Sequence, residues 1–499
     1  EGNRAISTDV LMAGLELKAG EPFDTVPARR DLDGILSRYG GMGHLYSEVT
    51  TQLTFSDDRT GIIIRYIVEE GPQVVFGSTL LTGNTFTRED VIMRELLFKP
   101  GDPYTEEAIQ RSRREIQKLG ILGNIRLEPV TPIDPGEPET VKDLQLKVQE
   151  LSKIPLDFGV GYADEDRLRG FAQATHRNLW GSGRSLTLRA QGSARETKYS
   201  TTFTEPWALG RKMTGQIQVF NQTLFRDTYE LVSYGGKVGV VKNITPTVTT
   251  GLEYEFENNR FKDVAADEEF LEEDQRANVA SLNPFVIWDT RDDPFNPTRG
   301  FIQKVTFRDA ALILGSQVQF VKTTLQSSWF FPFTRWVVVA FSARGGVADR
   351  FGDTKTTPIF GEVELVPPNE RFFAGGRSTV RGYRQDDLGI VGETINDDGE
   401  SIGGNAMLIF NTELRISLPL GLGLVLFHDR GNIFRKRGTV DLGELKSTVG
   451  AGVWFRTPVG PLRLDYGYKL DREENRCPAC AEPEEESKSE IHFTLGFAF

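Results

Sequence analysis

The sequence predicts a mainly β protein: a sixteen-stranded antiparallel barrel of transmembrane type, preceded by smaller α+β domains. Three observations predict it. The last ten residues, EIHFTLGFAF, alternate strictly. Ile491, Phe493, Leu495, Phe497 and Phe499 are apolar, and His492, Thr494, Gly496 and Ala498 are polar or small. A period of two places the apolar set on one face of a strand. A soluble strand over a core can read this way; a barrel strand with lipid outside and a wet lumen inside must. Second, from about residue 155 onward only strand-like runs, turns and long polar loops occur, and the runs number sixteen. That is an even count, with lengths at or above the ~10 residues of a tilted spanning strand. Third, no apolar run approaches the ~20 residues of a spanning helix, the stretch from Trp336 to Phe341 being about the longest. Only helices and closed barrels satisfy every backbone group in lipid.

Composition narrows the function. A length of 499 residues suggests two or more domains. Glycine, at 51 residues, exceeds the ~7% average, which suits strands and tight turns. A net charge of −13 argues against nucleic acid as a partner. The only cysteines, Cys477 and Cys480, stand in CPAC. A zinc site needs about four ligands and thioredoxin-like chemistry needs a βαβ setting. The remaining reading is a local disulfide in an oxidising, exposed loop. No Gly-x-Ser-x-Gly elbow occurs and the four histidines are scattered, so no enzyme, metal or cofactor is expected. EGNRAIST at the start shows no charged-then-apolar signal region.

The first part repeats. Residues 71–151 read β-α-α-β-β. A strand over 73–82 turns at Gly83-Asn84; Thr87, with Asp90, caps a helix ending near Phe98. KPGDPY breaks the chain, Thr105 caps a second helix that Gly120 ends, and strands follow near 125–130 and 141–148. Residues 1–70 match from a Gly2-Asn3 turn onward: Ser7 opens one helix, Asp24 a second, and strands follow near 46–55 and 61–68. The copy lacks an opening strand, so the chain is expected to be cut within a domain.

The third region, 155–499, holds the strands: 156–163, 168–178, 183–191, 198–205, 212–222, 228–241, 247–257, 277–288, 300–309, 316–330, 335–347, 402–417, 422–434, 447–457, 461–470 and 490–499. Alternation is clean late in the chain. Leu462, Leu464, Tyr466 and Tyr468 share one face, and Arg463, Asp465, Gly467 and Lys469 the other. Leu408, Phe410, Leu414 and Ile416 likewise oppose Asn411, Glu413 and Arg415. Charges facing a dry core in so many strands would be costly, which points to a water-filled interior. Short turns near 331–334 and 458–461 alternate with long loops near 258–276, 348–401 and 471–489. The loop 348–401 carries RFFAGGRSTVRGY from Arg371 to Tyr383. It is too long and too aromatic for an idle connection, and the lumen is where it can fold in.

RFFAGGRSTVRGY resembles the hallmark loop of the outer-membrane assembly-factor superfamily, which includes BamA, TamA and the two-partner secretion transporters. The likeness extends to TEPW (204–207), WDTRDDPFNPTRG (288–300), FHDRGN (427–432) and GPLRLDYG (460–467). The β-α-α-β-β units resemble POTRA domains. VPPNERFFAGG, LGILGNIRLEP and RTPVGPLRLDYG look closer to the TamA-like branch than to the BamA-like one. The resemblance implies an outer-membrane location with POTRA domains in the periplasm. It implies unfolded outer-membrane proteins as clients, outer-membrane lipids as surroundings, and a periplasm-spanning TamB-like partner or assembly lipoproteins. A BamA-like core insertase and a two-partner secretion transporter that moves a polypeptide through the barrel are the alternatives.

Two sites follow. Val380-Arg381-Gly382-Tyr383 would put a guanidinium in the lumen, where it needs a carboxylate. Glu413 and Asp429 have the right parity on neighbouring strands, and in the family the matching arginine docks on such carboxylates. The loop then serves as a plug that stiffens the wall or as a working part. The second site is the seam between the first strand, with Phe158, Gly159, Gly161 and Tyr162, and the last, with Phe493, Leu495, Phe497 and Phe499. The two glycines weaken strand order; they admit lumen packing, or, on the family reading, the seam opens sideways and its edge templates a client strand.

Overall fold

A computed structural model describes residues 1–58, 60–130, 139–164, 166–226, 229–264, 276–352, 365–457, 460–480 and 485–495. They form two compact units, one of Glu1–Lys153 with Arg177–Arg184 and one of Ile154–His176 with Ser185–Phe499.

The first unit holds the two repeats. The first has α1 (Thr8–Ala13), α2 (Thr25–Gly40), β1 (Glu48–Phe55) and β2 (Ile62–Glu69). The second has β3 (Val75–Thr82), α3 (Glu89–Met93), α4 (Glu106–Lys118), β4 (Leu122–Pro129) and β5 (Val141–Glu150). In the second, β3 lies parallel to β5, and β5 antiparallel to β4. The Asp24 and Thr105 side chains cap α2 and α4 by accepting from Val26 N and Ala108 N. Ile109 and Ile116 of α4 are buried with Phe76, Leu144 and Leu146 of the sheet, the stripe expected of a helix on a sheet. The helix expected to run from Thr87 to near Phe98 is shorter: α3 ends at Met93. The chain turns out so that Phe98 stacks on Phe76, ring centroids 3.9 Å apart, while the Ser112 hydroxyl accepts from Leu97 N. Nor does Thr87 cap it; its hydroxyl and N–H donate to Glu150 Oε1.

The repeat is exact in its turns. Gly2 and Gly83 take φ of +87° and +92°, and a Cβ at either would lie 2.2 or 2.0 Å from the carbonyl oxygen of Val68 or Val148. Only glycine tolerates both constraints. Asn3 and Asn84 each donate to the carbonyl three residues on. Glu70 accepts from Arg4 N and Ala5 N, and Glu150 from Phe86 N and Thr87 N. Burial pushes the Glu150 carboxyl up, but the donors from Thr87, Thr85 and Phe86 outweigh it and lower its pKa to about 2.

The second unit is a closed barrel of sixteen antiparallel strands. They are β6 (Leu156–Ala163), β7 (Arg167–Leu179), β8 (Arg184–Gly192), β9 (Glu196–Glu205), β10 (Thr214–Phe225), β11 (Glu230–Asn243), β12 (Val248–Lys262) and β13 (Arg276–Asp289), then β14 (Gly300–Ala310), β15 (Phe320–Pro332), β16 (Val337–Arg350), β17 (Ala406–Ser417), β18 (Leu422–Phe434), β19 (Lys446–Thr457), β20 (Gly460–Lys469) and β21 (Ser489–Leu495). The strand expected over 402–417 starts later, because Gly404 pairs with Phe372 inside the loop. Along β18, Leu422, Leu424 and Leu426 are exposed while Val425, Phe427 and Asp429 are buried. An apolar outer wall alternating with residues turned to the lumen is the pattern a lipid-facing barrel needs. Trp288, Phe301, Trp329 and Phe331 make a ladder of ring contacts near one rim, as in interfacial aromatic belts. Among the described residues no helix is long and apolar enough to cross a membrane.

The interior differs from the water-filled expectation. Val366, Phe372, Val380, Tyr383 and Leu388 of the loop between β16 and β17 form one buried cluster with Leu231, Phe261, Val279, Phe320, Ile409 and Ile433 of the wall. Apolar loop residues and apolar lumen residues bury each other, so part of the lumen is a packed core.

Candidate functional site

The loop reaches the wall because glycines bend it. Gly375, Gly376 and Gly382 take φ of +110°, +87° and +95°. Gly376 N donates to Tyr383 O, and Ala374 pairs with Leu388, so Val380-Arg381-Gly382-Tyr383 projects from a tight turn. Val380 and Tyr383 are buried in the cluster, and the Tyr383 hydroxyl donates to Asp471 O at 2.9 Å.

The structure brings Arg381 together with both carboxylates. Its Nε and Nη2 donate to Asp429 Oδ2 and Oδ1, each at 2.7 Å, and its Nη1 donates to Glu413 Oε1 at 2.6 Å. Arg381 is 3% exposed and Asp429 0%. The guanidinium lies 3.6 Å from the centroid of the Phe427 ring. Glu413 has two further cations, Arg415 at 2.7 Å and Arg463 at 3.3 Å. Asn411 Nδ2 donates to Asp429 Oδ1. With both partners buried, removing either one would leave a charge without its counter-ion inside the barrel.

Other anchors were missed by sequence reasoning. Glu370 meets Arg308 at 3.2 Å and Lys322 at 3.7 Å on β14 and β15. Asp386 bonds Arg195 and Arg226, beyond β8 and β10. Gly382 N donates to His492 Nε2 at 3.1 Å, and Arg377 Nη1 to Thr494 Oγ1 at 2.9 Å. Parity offered the signal for these last two, since His492 and Thr494 occupy the lumen positions of the terminal strand. Cys477 and Cys480 are joined in a disulfide, but Cys477 is buried. The loop around it is therefore only partly exposed: Arg476 beside it bonds Asp387 and Glu486.

At the seam, β6 and β21 pair at Thr494↔Ala163 and Leu495↔Tyr162, and Asp164 N donates to Phe493 O. Phe158 is 83% exposed on the outer wall, and Tyr162 packs on Phe493 with ring centroids 5.9 Å apart. Gly161 faces inward; a Cβ there would lie 2.8 Å from Leu495 O and 3.2 Å from Arg169 Nε. Gly159 lies opposite Phe171 of β7. Phe497 and Phe499 fall outside the described residues.

This arrangement has known counterparts. The Omp85 superfamily domain matches residues 178–499, and the POTRA model, described as a surface antigen variable number repeat, matches residues 1–71 and 74–151. The chain belongs to the Omp85 superfamily. This Omp85 chain is 26% identical to the outer membrane protein assembly factor BamA of Neisseria meningitidis serogroup B, covering 97% of this chain and 64% of that protein. It is 26% identical to BamA of Nitratidesulfovibrio vulgaris, covering 88% of this chain and 54% of that one. It thus spans less than two thirds of the length of these relatives. The crystal structure of Haemophilus ducreyi BamA lacking POTRA domains 1-3 superposes with a TM-score of 0.75 at 18% identity, covering 97% of this chain and 96% of that one. CdiB from Acinetobacter baumannii gives 0.54 at 13% identity, covering 98% and 85%. As an Omp85 barrel with POTRA repeats, this is an outer-membrane protein whose POTRA repeats lie in the periplasm.

Proposed function

We propose that this Omp85 chain is a non-enzymatic assembly factor: it receives unfolded outer-membrane proteins through its POTRA repeats and inserts them into the lipid by way of the seam between β6 and β21. The observation that carries this reading is the seam itself, where the barrel closes by pairing its last strand, β21, with its first, β6. Parting that joint exposes two strand edges, and an exposed edge accepts a further strand. The assembly-factor names of the relatives support the same reading.

Within it, the BamA-like assignment follows those names and implies assembly lipoproteins as partners. The TamA-like assignment rests on the VPPNERFFAGG, LGILGNIRLEP and RTPVGPLRLDYG segments and implies a long periplasm-spanning TamB-like partner. Co-purification from native membranes separates them. The resemblance of RFFAGGRSTVRGY to the loop of a superfamily that includes two-partner secretion transporters keeps polypeptide translocation as the second reading, and its mark would be conductance across planar bilayers with a large secreted cognate.

The direct test joins Ala163→Cys to Thr494→Cys, Cα partners across the seam. Oxidation is expected to abolish insertion of a client barrel into liposomes while the barrel stays folded. Full insertion by a completely cross-linked protein would refute the seam mechanism.

A further inference from the structure

The in-folded loop binds both sides of the seam. On the C-terminal side, Arg381 is locked on β17 and β18, Gly382 N donates to His492 Nε2 on β21, and Arg377 donates to Thr494. On the N-terminal side, His492 Nδ1 faces Asp164 Oδ2 at 3.3 Å, just beyond β6, and Asp386 bonds Arg195 and Arg226. Residues 377–387 therefore run across the inner face of the joint between β21 and β6.

The two ends are held unequally. Arg381 is 3% exposed and Asp429 is 0%, and breaking such a pair strands a buried charge. At the other end the Arg195 and Arg226 side chains are 26% and 31% exposed, where ion pairs are weaker and easily replaced by water. A polar cavity of about 560 Å3, lined by Asp164, Arg195, Gln385 and His492 among others, lies on that same side. Among the described residues, Asp164 Oδ1 and Gln385 Oε1 are buried there without a hydrogen-bond partner, and His492 Nδ1 has only the 3.3 Å contact with Asp164 Oδ2.

We propose that residues 377–387 form a strap that shuts the seam from within, fixed to the C-terminal strands by Arg381 and held releasably on the N-terminal rim by Asp386, which is a positioning residue for seam opening. The loop then travels with β17–β21 when the seam parts, and the contacts of Asp386 and Asp164 are the ones that break. This rests on the seam being the route of insertion.

Spin labels on Val160→Cys and Ile491→Cys, both exposed on the outer wall, would report the seam in the full chain by pulsed EPR, with no client present. Wild type should give one dominant distance. Asp386→Asn should raise the population of longer distances by roughly threefold or more, the scale of a partly exposed ion pair. Glu370→Gln, which loosens the same loop on the opposite wall, should leave the distribution unchanged. If Asp386→Asn does not fold, Arg226→Gln is read in its place. Superimposable distributions in the folded variant, or an equal shift in Glu370→Gln, would overturn the strap. Insertion measured on the same preparations stands apart: a seam that opens without insertion counts against the assembly reading, and unchanged distances with normal insertion count against the strap alone.

Discussion

Gly382 and Gly467 lie backbone to backbone: a Cβ built on Gly467 would stand 2.5 Å from Gly382 N and 2.7 Å from its Cα. The loop can enter the network only because β20 presents no side chain there. Gly467→Ala should lift the turn off the wall and weaken the barrel by about 1–3 kcal/mol, the usual cost of overpacking. Urea unfolding of the refolded protein in detergent would show it, and an unchanged midpoint would mean the loop does not need this approach.

Arg381→Ala removes the only side-chain cation within ion-pair distance of Asp429 among the described residues, whereas Glu413 keeps Arg415 and Arg463. A loss of about 3–5 kcal/mol is expected. Asp429→Asn should cost more than Glu413→Gln, because Asp429 takes the two-pronged contact of Arg381 and is fully buried. Arg381→Lys should recover little, since an ammonium cannot make the two-pronged contact with Asp429. A double-mutant cycle of Arg381 and Asp429 in the same unfolding assay should give a coupling of about 1–3 kcal/mol; additivity would contradict the pairing.

Glu150 ties the start of α3 to the end of β5, and its pKa of about 2 lies below the ordinary value of 4.5. A carboxylate depressed on folding stabilises the fold above its unfolded pKa and ceases to do so as pH falls through its folded value. Hydrogen-exchange protection of the Phe86 and Thr87 amides should therefore decline from about pH 4.5 toward pH 2. Glu150→Gln should lose much of that protection at neutral pH and flatten the dependence, and equal profiles would contradict the assignment.

Much of the barrel was legible because β periodicity is local. Leu464, Tyr466 and Tyr468 alternate with Asp465 and Lys469, and the structure exposes the first set and buries the second. The same parity picked out Glu413 and Asp429 as lumen residues. It failed where a contact outranked the pattern. The continuation of α3 gave way to the stacking of Phe98 on Phe76, and the expected wet lumen to the packing of Phe372, Val380 and Tyr383 against the wall.

Period-two alternation, an even strand count and the absence of long apolar runs were enough, without coordinates, to specify a lipid-facing cylinder, because each residue's face follows from its immediate neighbours. Which lumen groups meet the loop was decided only in three dimensions. Gly467, His492, Arg195 and Arg226 are far from Arg381 and Asp386 in the chain, and what joins them is the path set by Gly375, Gly376 and Gly382. No local period encodes where a long loop comes to rest; that depends on the closed wall around it.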